Sequence, residues 1–451
     1  MTPPLTRAAG GRPAAPVRML HLGLGGFFRA HQAWYTEHAP DASRWGIAAF
    51  SGRSTGLVTR LAAQGGVYTL VTRGADGDAF EVIGSVTAVH GGGEHGEWLA
   101  YWRRPELAVV TLTVTEAGYS GVPATRGPGP GTGLVAGTVA GTVAGTVAGT
   151  VAGTVAGRLA AGLAARRLAG GGPVAIVSCD NLPGNGELTR RMVDEVAHAA
   201  GLRLADASYV TTMVDRITPY PAPEDAGLVA GATGRADAAP VVTEPYSEWV
   251  LCGDFPAGRP RWDDAGARFV ADAAPYEERK LWLLNGGHSL LAYAGTLRGH
   301  TTVAEAVADP ACRAWLAQWW AEASRHLAFP EPELAAYRNA LLDRFANPRI
   351  RHTLAKIAEH GSRKLPVRIL PVLRAERARG TLPAGAIRVL AAWLLHLRQA
   401  APARDAAAPD ASGPLPDAAR AVSFGLDPAL AADPALIHAV TRQARELARG
   451  Y

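Results

Sequence analysis

VRMLHLGLGGFFRAH, residues 17–31, opens as a short apolar run and breaks into glycine. Val17–Gly23 reads as a buried strand entering a turn. Gly23-Leu24-Gly25 is then a G-x-G at a strand–helix junction, because the sequence that follows suits a helix. Glycines there let the backbone approach a pyrophosphate, and a helix N-terminus favours its charge. The third glycine of the usual fingerprint is missing, with Phe28 in its place. The two glycines alone do not settle a nucleotide site.

Working outward, Trp45–Phe50 reads as a second strand ending at Ser51-Gly52-Arg53. NAD sites usually carry an acid near this point for the ribose 2′-hydroxyl, and none is present. Arg53 either meets a 2′-phosphate, which leaves NADP open, or is a solvated turn residue. Leu107–Val114 and Pro173–Ser178 are β-rich runs of the buried parallel kind. Between them Gly-Thr-Val-Ala occurs five times over residues 137–156, with no charge between Arg126 and Arg158. Glycine at every fourth position imitates a membrane dimerisation pattern. The run is too rich in Gly and Thr for a membrane span and its period too short for a solenoid unit. It reads as a flexible loop, or as a helix extension into Arg158–Arg167. From Pro275 onward the pattern turns helical, over 276–297, 302–327, 331–344, 349–360, 383–400 and 434–449, with a Pro/Ala/Asp-rich loop at 401–416.

At 451 residues the chain has room for two or three domains. Hydrophobic residues at 48% and charged residues at 19% exclude wholesale disorder. A net charge of +5, scattered along the chain, gives no footprint for nucleic acid. Three separated cysteines, Cys179, Cys252 and Cys312, exclude a disulfide framework and a cysteine-rich zinc site, and fit a reducing cytoplasm. Residues 1–16 lack an apolar segment and read as a disordered leader, not a signal peptide. Of 45 basic residues only three are lysine: Lys280, Lys356 and Lys364. A lysine amine can give and take a proton near neutral pH when buried, whereas arginine cannot. A lysine retained against such a bias is a candidate for that work, or a chance survivor.

Residues 276–289, YEERKLWLLNGGHS, look like the start of a helix. At about 100° per residue, Asn285 lies about 140° from Lys280 and His288 about 80°. Amine, amide and imidazole then share one half of the surface. These parts can polarise a carbonyl and move a proton without a metal. The alternative is a solvated polar face. Gly286-Gly287 costs about 1 kcal/mol per residue inside a helix, which points to close approach by another backbone or a ligand. SCDNLPGNG, residues 178–186, follows a buried strand, where α/β folds place ligands. Asn181 is a second amide donor there, or part of a turn built from Asn, Pro and Gly. In VDRITP, residues 214–219, Asp215 either anchors a substrate hydroxyl or pairs with Arg216.

GLGGFFRAHQ, TLTVTEAGY, SCDNLPGNG, MVDRITP, KLWLLNGGHS and RFANPRIRHTLAKIAEHGSRK, in this order and spacing, resemble the mannitol dehydrogenase family of polyol-specific long-chain dehydrogenases/reductases. The resemblance runs from about Val17 to Tyr451. It implies an α/β fold: a Rossmann-like dinucleotide-binding domain over residues 17–270, then a mostly α-helical substrate domain over 271–451, with the active site in the cleft between them. It implies metal-independent hydride transfer between NAD(P) and a polyol or sugar acid: mannitol or arabinitol to ketose, or mannonate to fructuronate. Lys280 would be the general acid/base, Asn181 and Asn285 the oxyanion hole, and Glu277 part of the proton path. His288 and Asp215 would hold substrate hydroxyls, with Lys364 and Lys356 also at the substrate. Lys356 stands where relatives commonly carry Arg, which puts its contact in doubt. Gly23, Gly25, Phe27, Arg29 and Arg53 would face the cofactor, NAD first and NADP as the alternative. Phe28 replaces a residue that is often His, and relatives carry a shorter connection at the 137–156 repeat. The expected partner is a small-molecule substrate for a monomer or weak oligomer, with no nucleic acid and no membrane. A mannitol-1-phosphate 5-dehydrogenase-type activity, a non-catalytic nucleotide-binding relative and a zinc-dependent dehydrogenase are the alternatives.

Overall fold

A computed structural model describes residues 2–10, 12–52, 55–113, 153–399, 405 and 407–449. The chain divides into two compact units, Met1–Ala274 and Pro275–Tyr451.

Eleven strands among the described residues belong to the first unit. They are β1 (Val17–Leu22), β2 (Gly46–Phe50), β3 (Tyr68–Arg73), β4 (Asp78–Ile83), β5 (Val86–His90), β6 (Val109–Leu112), β7 (Val174–Ser178), β8 (Ala207–Asp215), β9 (Val241–Thr243), β10 (Glu248–Cys252) and β11 (Arg268–Phe269). The main sheet has the order β11-β10-β8-β7-β6-β1-β2-β5. Its run from β5 to β8 is parallel throughout, and β10 joins antiparallel to β8. Counted along the chain, the six parallel strands stand in the order 3-2-1-4-5-6, the doubly wound dinucleotide arrangement, with its switch point between β1 and β6. Alternate residues face opposite cores. Met19, Ile47, Val109 and Ala175 pack on one face, and Leu20, Phe50, Val110 and Ile176 on the other. Burial on both faces is why these strands read as unbroken apolar runs. A smaller sheet, β4-β3-β9, stands apart.

The leader departs from the disorder expected of it. Pro4 bridges Ala236, and Leu5 is buried. The Arg7 guanidinium donates to the carbonyls of Gly65 (2.8 Å), Gly84 (3.0 Å) and Val86 (2.5 Å). One buried leucine and one arginine serving strand-end carbonyls anchor a segment whose composition looks unstructured. Most of the Gly-Thr-Val-Ala repeat lies outside the described residues. Its last turn enters a helix, Val155–Leu168, capped by the Thr154 hydroxyl accepting from the Gly157 N–H at 3.0 Å.

The second unit is helical. Two expected spans are cut. Residues 302–327 divide into Val303–Ala308 and Pro310–Ser324, because Asp309 ends one helix and caps the next. Residues 349–360 yield only Leu354–Ala358. Helices Gly361–Arg368 and Leu370–Ala378 were not expected, since Pro366 and Pro371 interrupt the pattern. Among the described residues no helix is long and apolar enough to cross a membrane.

Candidate active site

In the first unit the candidate residues gather where parallel strands end. Gly23 follows β1 with φ +115°, and a Cβ there would stand 2.1 Å from the Thr113 carbonyl oxygen. The Thr113 hydroxyl also donates to Gly23 O at 2.8 Å. Only glycine fits this crowded, left-handed position. A Cβ on Gly25 would meet nothing nearer than the Gly23 carbonyl oxygen at 3.6 Å, so the turn leaves its backbone open there. An open glycine turn at the switch point suits the pyrophosphate of a dinucleotide.

Phe28, in the place of the third glycine, is fully buried and stacks on His21, with ring centroids 3.5 Å apart. Burial pushes the His21 imidazole down to about 3, so it stays neutral between the Thr111 and Thr113 hydroxyls. The aromatic pair replaces close helix–strand packing, and the helix Gly26–Ala30 breaks at His31. Phe27 stays half-buried beside His31. Arg29, expected against the cofactor, is turned inward instead. It donates to Gly25 O (3.2 Å) and Ala239 O (2.5 Å) and lies over the Tyr68 ring. Arg53 lies outside the described residues.

Gly23→Ala should lower Tm by several degrees and weaken nucleotide binding at least about tenfold. A strained left-handed residue costs of order 1–3 kcal/mol, each kcal/mol is worth about 2–4 °C in a domain this size, and about 1.4 kcal/mol is tenfold in affinity. Thermal melts with and without NAD check both parts, and an unchanged affinity would deny the turn its cofactor role.

Asn181 is exposed in the turn after β7. That turn is braced from within. Asp180 accepts from the Leu182 N–H at 3.3 Å, and buried Asn185 donates to Asp180 O (3.1 Å) and Thr212 O (2.8 Å). Asp215 ends β8 with 3% exposure. Its neighbour Arg216 reaches elsewhere, to Ala30 O (2.6 Å) and Glu244 O (3.3 Å), and so supports the glycine-turn helix.

In the second unit the helix carrying Lys280 is not a regular α-helix. Ala274–Arg279 leads into a π-helical turn, Lys280–Asn285, followed by Gly286–Leu290 and a second π-turn, Leu291–Gly295. In α geometry Lys280 and Asn285 would stand about 140° apart. In a π-turn the hydrogen bonds run to the fifth residue, so residues five apart fall one turn apart on the same side. The wide turn is clamped from the helix Pro310–Ser324. The Trp319 indole donates to Trp282 O and the Trp320 indole to Leu283 O, both at 2.8 Å. This contact explains the glycine pair. A Cβ on Gly286 would stand 2.8 Å from the Trp319 ring, and one on Gly287 2.9 Å from Leu316. The close approach expected there is made by side chains. Lys280 and Glu277 are both buried.

His288 is 6% exposed, stacks on Phe345 at 4.5 Å and meets the His352 ring edge-on at 4.7 Å. Burial first, then the charges of His352, Arg368, Arg344 and Lys364, hold it well below the usual imidazole range. The same forces push His352 down to about 4. Arg368 donates to Asn285 O (3.4 Å) and Ser289 Oγ (3.2 Å), and Lys364 to Ile357 O (3.2 Å). Arg344, His352 and Arg368 were missed by the sequence reading, though Arg344 and His352 stand in the RFANPRIRHT run. Lys356 does not join them. Its side chain is 66% exposed and pairs with Glu359 at 2.7 Å, as expected of a flexible lysine on a short surface helix.

Among the described residues one trio, His300, Asp309 and Cys312, brings potential ligand atoms within 4.8 Å of one another. Asp309 is already held by Arg298 and His300 and caps Ala311, and burial pushes the Cys312 thiol up to about 12. The trio is knit as an ion pair and a helix cap.

Two family models match the chain: the mannitol dehydrogenase Rossmann domain over residues 17–264 and the mannitol dehydrogenase C-terminal domain over residues 272–422. D-mannonate oxidoreductase of Escherichia coli (strain K12) is 36% identical over 385 residues, 82% of this chain and 78% of that protein. Mannitol 2-dehydrogenase of Cereibacter sphaeroides is 34% identical over 406 residues, 87% of this chain and 83% of that one. The Pseudomonas fluorescens mannitol 2-dehydrogenase ternary complex with NAD and D-mannitol superposes with a TM-score of 0.78 at 30% identity, covering 99% of this chain and 94% of that one.

Proposed function

The chain belongs to the mannitol dehydrogenase family, and from that premise we propose that it is a metal-independent NAD-dependent dehydrogenase acting on a secondary alcohol of a polyol or sugar acid. The observation that carries the reading is the π-turn that puts Lys280 and Asn285 on one side of a buried helix. The bound nicotinamide supplies hydride exchange with the reacting carbon. Gly23, Gly25 and Phe27 hold the cofactor at the end of β1.

The rest is proton and charge management. In oxidation the Lys280 amine takes the proton from the substrate hydroxyl. In reduction its ammonium returns one to the developing alkoxide. The Asn181 and Asn285 amides donate to that oxygen as its charge grows. Glu277, buried one turn before Lys280, passes the proton onward. His288 and Asp215 hold substrate hydroxyls, and Lys364 sits at the substrate's far end. None of these steps requires a metal, and activity should survive exhaustive chelation. The protein works as a monomer or weak oligomer in the cytoplasm, a setting that suits three free cysteines.

The test is a nicotinamide-absorbance screen with fructose, xylulose, fructuronate, tagaturonate and fructose 6-phosphate, each with NADH and NADPH. NADH should give the higher kcat/KM. A more than tenfold advantage for NADPH would overturn the cofactor ranking, and inertness toward every substrate would overturn the enzymatic reading.

A further inference from the structure

His21 is tied to both ends of the glycine turn. The parallel register of β1 and β6 sets it beside Thr111. Its ring is fully buried, bonded at Nδ1 to the Thr111 hydroxyl (2.8 Å) and at Nε2 to the Thr113 hydroxyl (3.0 Å). Each hydroxyl has one proton to give, and a neutral imidazole has one N–H and one bare nitrogen. The Thr113 proton goes to Gly23 O at 2.8 Å, since a carbonyl only accepts. Nε2 then carries the ring proton and donates to Thr113. Burial keeps the ring neutral, so Nδ1 is bare and takes the Thr111 proton. The other acceptor for that proton, Leu20 O, is farther off at 3.4 Å. Reversing the order would exchange the 2.8 Å bond to Gly23 O for the 3.4 Å bond to Leu20 O. Every proton therefore points one way, from Thr111 through His21 and Thr113 to Gly23.

The Gly23 and Leu24 N–H groups are both given to Phe50 O, at 3.0 and 3.1 Å. Gly23 O is thus the remaining polar group of the turn's first residue, and the relay decides where it points. At the far end Phe28 lies flat on the imidazole, 3.5 Å between centroids and 8° between planes. That stack fixes the plane of the His21 ring and with it the aim of Nε2. We infer that His21 is a positioning residue for the cofactor turn: its one-way relay holds Gly23, its stack holds Phe28, and the open backbone at Gly25 between them keeps the shape a dinucleotide pyrophosphate meets. The inference rests on the NAD-dependent reading above and adds to it a fully buried residue. Glycine loses more freedom on ordering than any other residue. A glycine turn ordered in advance spares the cofactor that loss on binding.

Two measurements on the full chain test this. The ring-nitrogen NMR shifts of His21 should show a protonated Nε2 and a bare Nδ1 throughout the neutral pH range. The opposite tautomer, or an imidazolium, overturns the inference. The second measurement is calorimetric titration with NAD. His21→Phe keeps a flat ring against Phe28, and Thr113→Val removes only the last hydroxyl. Each should weaken NAD binding about 3- to 10-fold, the worth of one neutral hydrogen bond, and Thr113→Ser should restore it. Both act through one chain, so the double variant should lose about as much as the worse single variant, whereas two independent structural defects would add. KM for NADH should rise with the dissociation constant while KM for the ketose stays within about twofold. Tm reports that each variant folds, and if His21→Phe does not, the tautomer and the Thr113 pair still decide. Additive losses, or NAD affinity within twofold of wild type in both single variants, overturn the inference and leave the dehydrogenase reading standing. A wild-type chain that does not bind NAD overturns both.

Discussion

Lys280→Ala should lower kcat by at least about 10²-fold, because a positioned acid/base contributes about 10²–10⁴-fold, and should leave nucleotide affinity within a few-fold. The asymmetry follows from location. Lys280 opens a buried π-turn in the second unit, whereas the glycine turn that suits the pyrophosphate lies in the first. Its sequence neighbour Arg279 cannot stand in. That guanidinium lies over the Tyr337 ring at 4.2 Å and reaches Glu333 at 3.4 Å. Added small amines should restore part of the activity, since the lost group is a proton carrier of simple shape. Lys280→Arg should fail almost as badly, because guanidinium keeps its proton. Near-normal turnover in that arginine variant would reduce Lys280 to a positioning charge and move the acid/base search to His288.

The parallel strands were legible for a physical reason. Strands buried on both faces leave uninterrupted apolar runs, and Val17–Gly23, Trp45–Phe50, Leu107–Val114 and Pro173–Ser178 led to β1, β2, β6 and β7. The helical character of the second half was legible from its periodicity, but its joints were not. Asp309-Pro310 is a local stop signal that a long apolar rhythm outweighed, and Pro366 lies inside a helix it would normally forbid. The leader failed in the opposite sense. Leu5 and Arg7 are held by partners some 60–230 positions away along the chain, beyond the reach of composition.

At the site, rarity was a useful but undiscriminating signal. It selected Lys280, Lys356 and Lys364 together, and only the structure separates the buried Lys280 from the solvated Lys356. The same bias hid Arg344 and Arg368, because one arginine among so many carries no mark. The π-turn was invisible for a different reason. Its width is maintained by the indoles of Trp319 and Trp320, on another helix. An α-helical wheel therefore set Lys280 and Asn285 about 140° apart on one half of the surface, and the closer spacing of a π-turn could not be read from it.

Asn285→Ala should lower kcat about 10²–10³-fold, the usual cost of one oxyanion donor, with little change in KM. The backbone around Asn285 is secured by groups the substitution leaves in place. Its carbonyl accepts from the Ser289 hydroxyl at 3.1 Å and from Arg368 at 3.4 Å, and the turn beside it is held by the two tryptophans. Alanine also suits a helix, so Tm should move little and the loss should report the side-chain amide alone. Asn285→Asp sharpens the point. It matches the amide in size but replaces an N–H donor with a negative acceptor, which opposes charge growing on the substrate oxygen. The aspartate variant should therefore be the slower of the two. A kcat within threefold of wild type in Asn285→Ala, with the fold intact, would mean that the alkoxide is stabilised from Asn181 and Lys280 alone, and that the π-turn serves to place the lysine and nothing else.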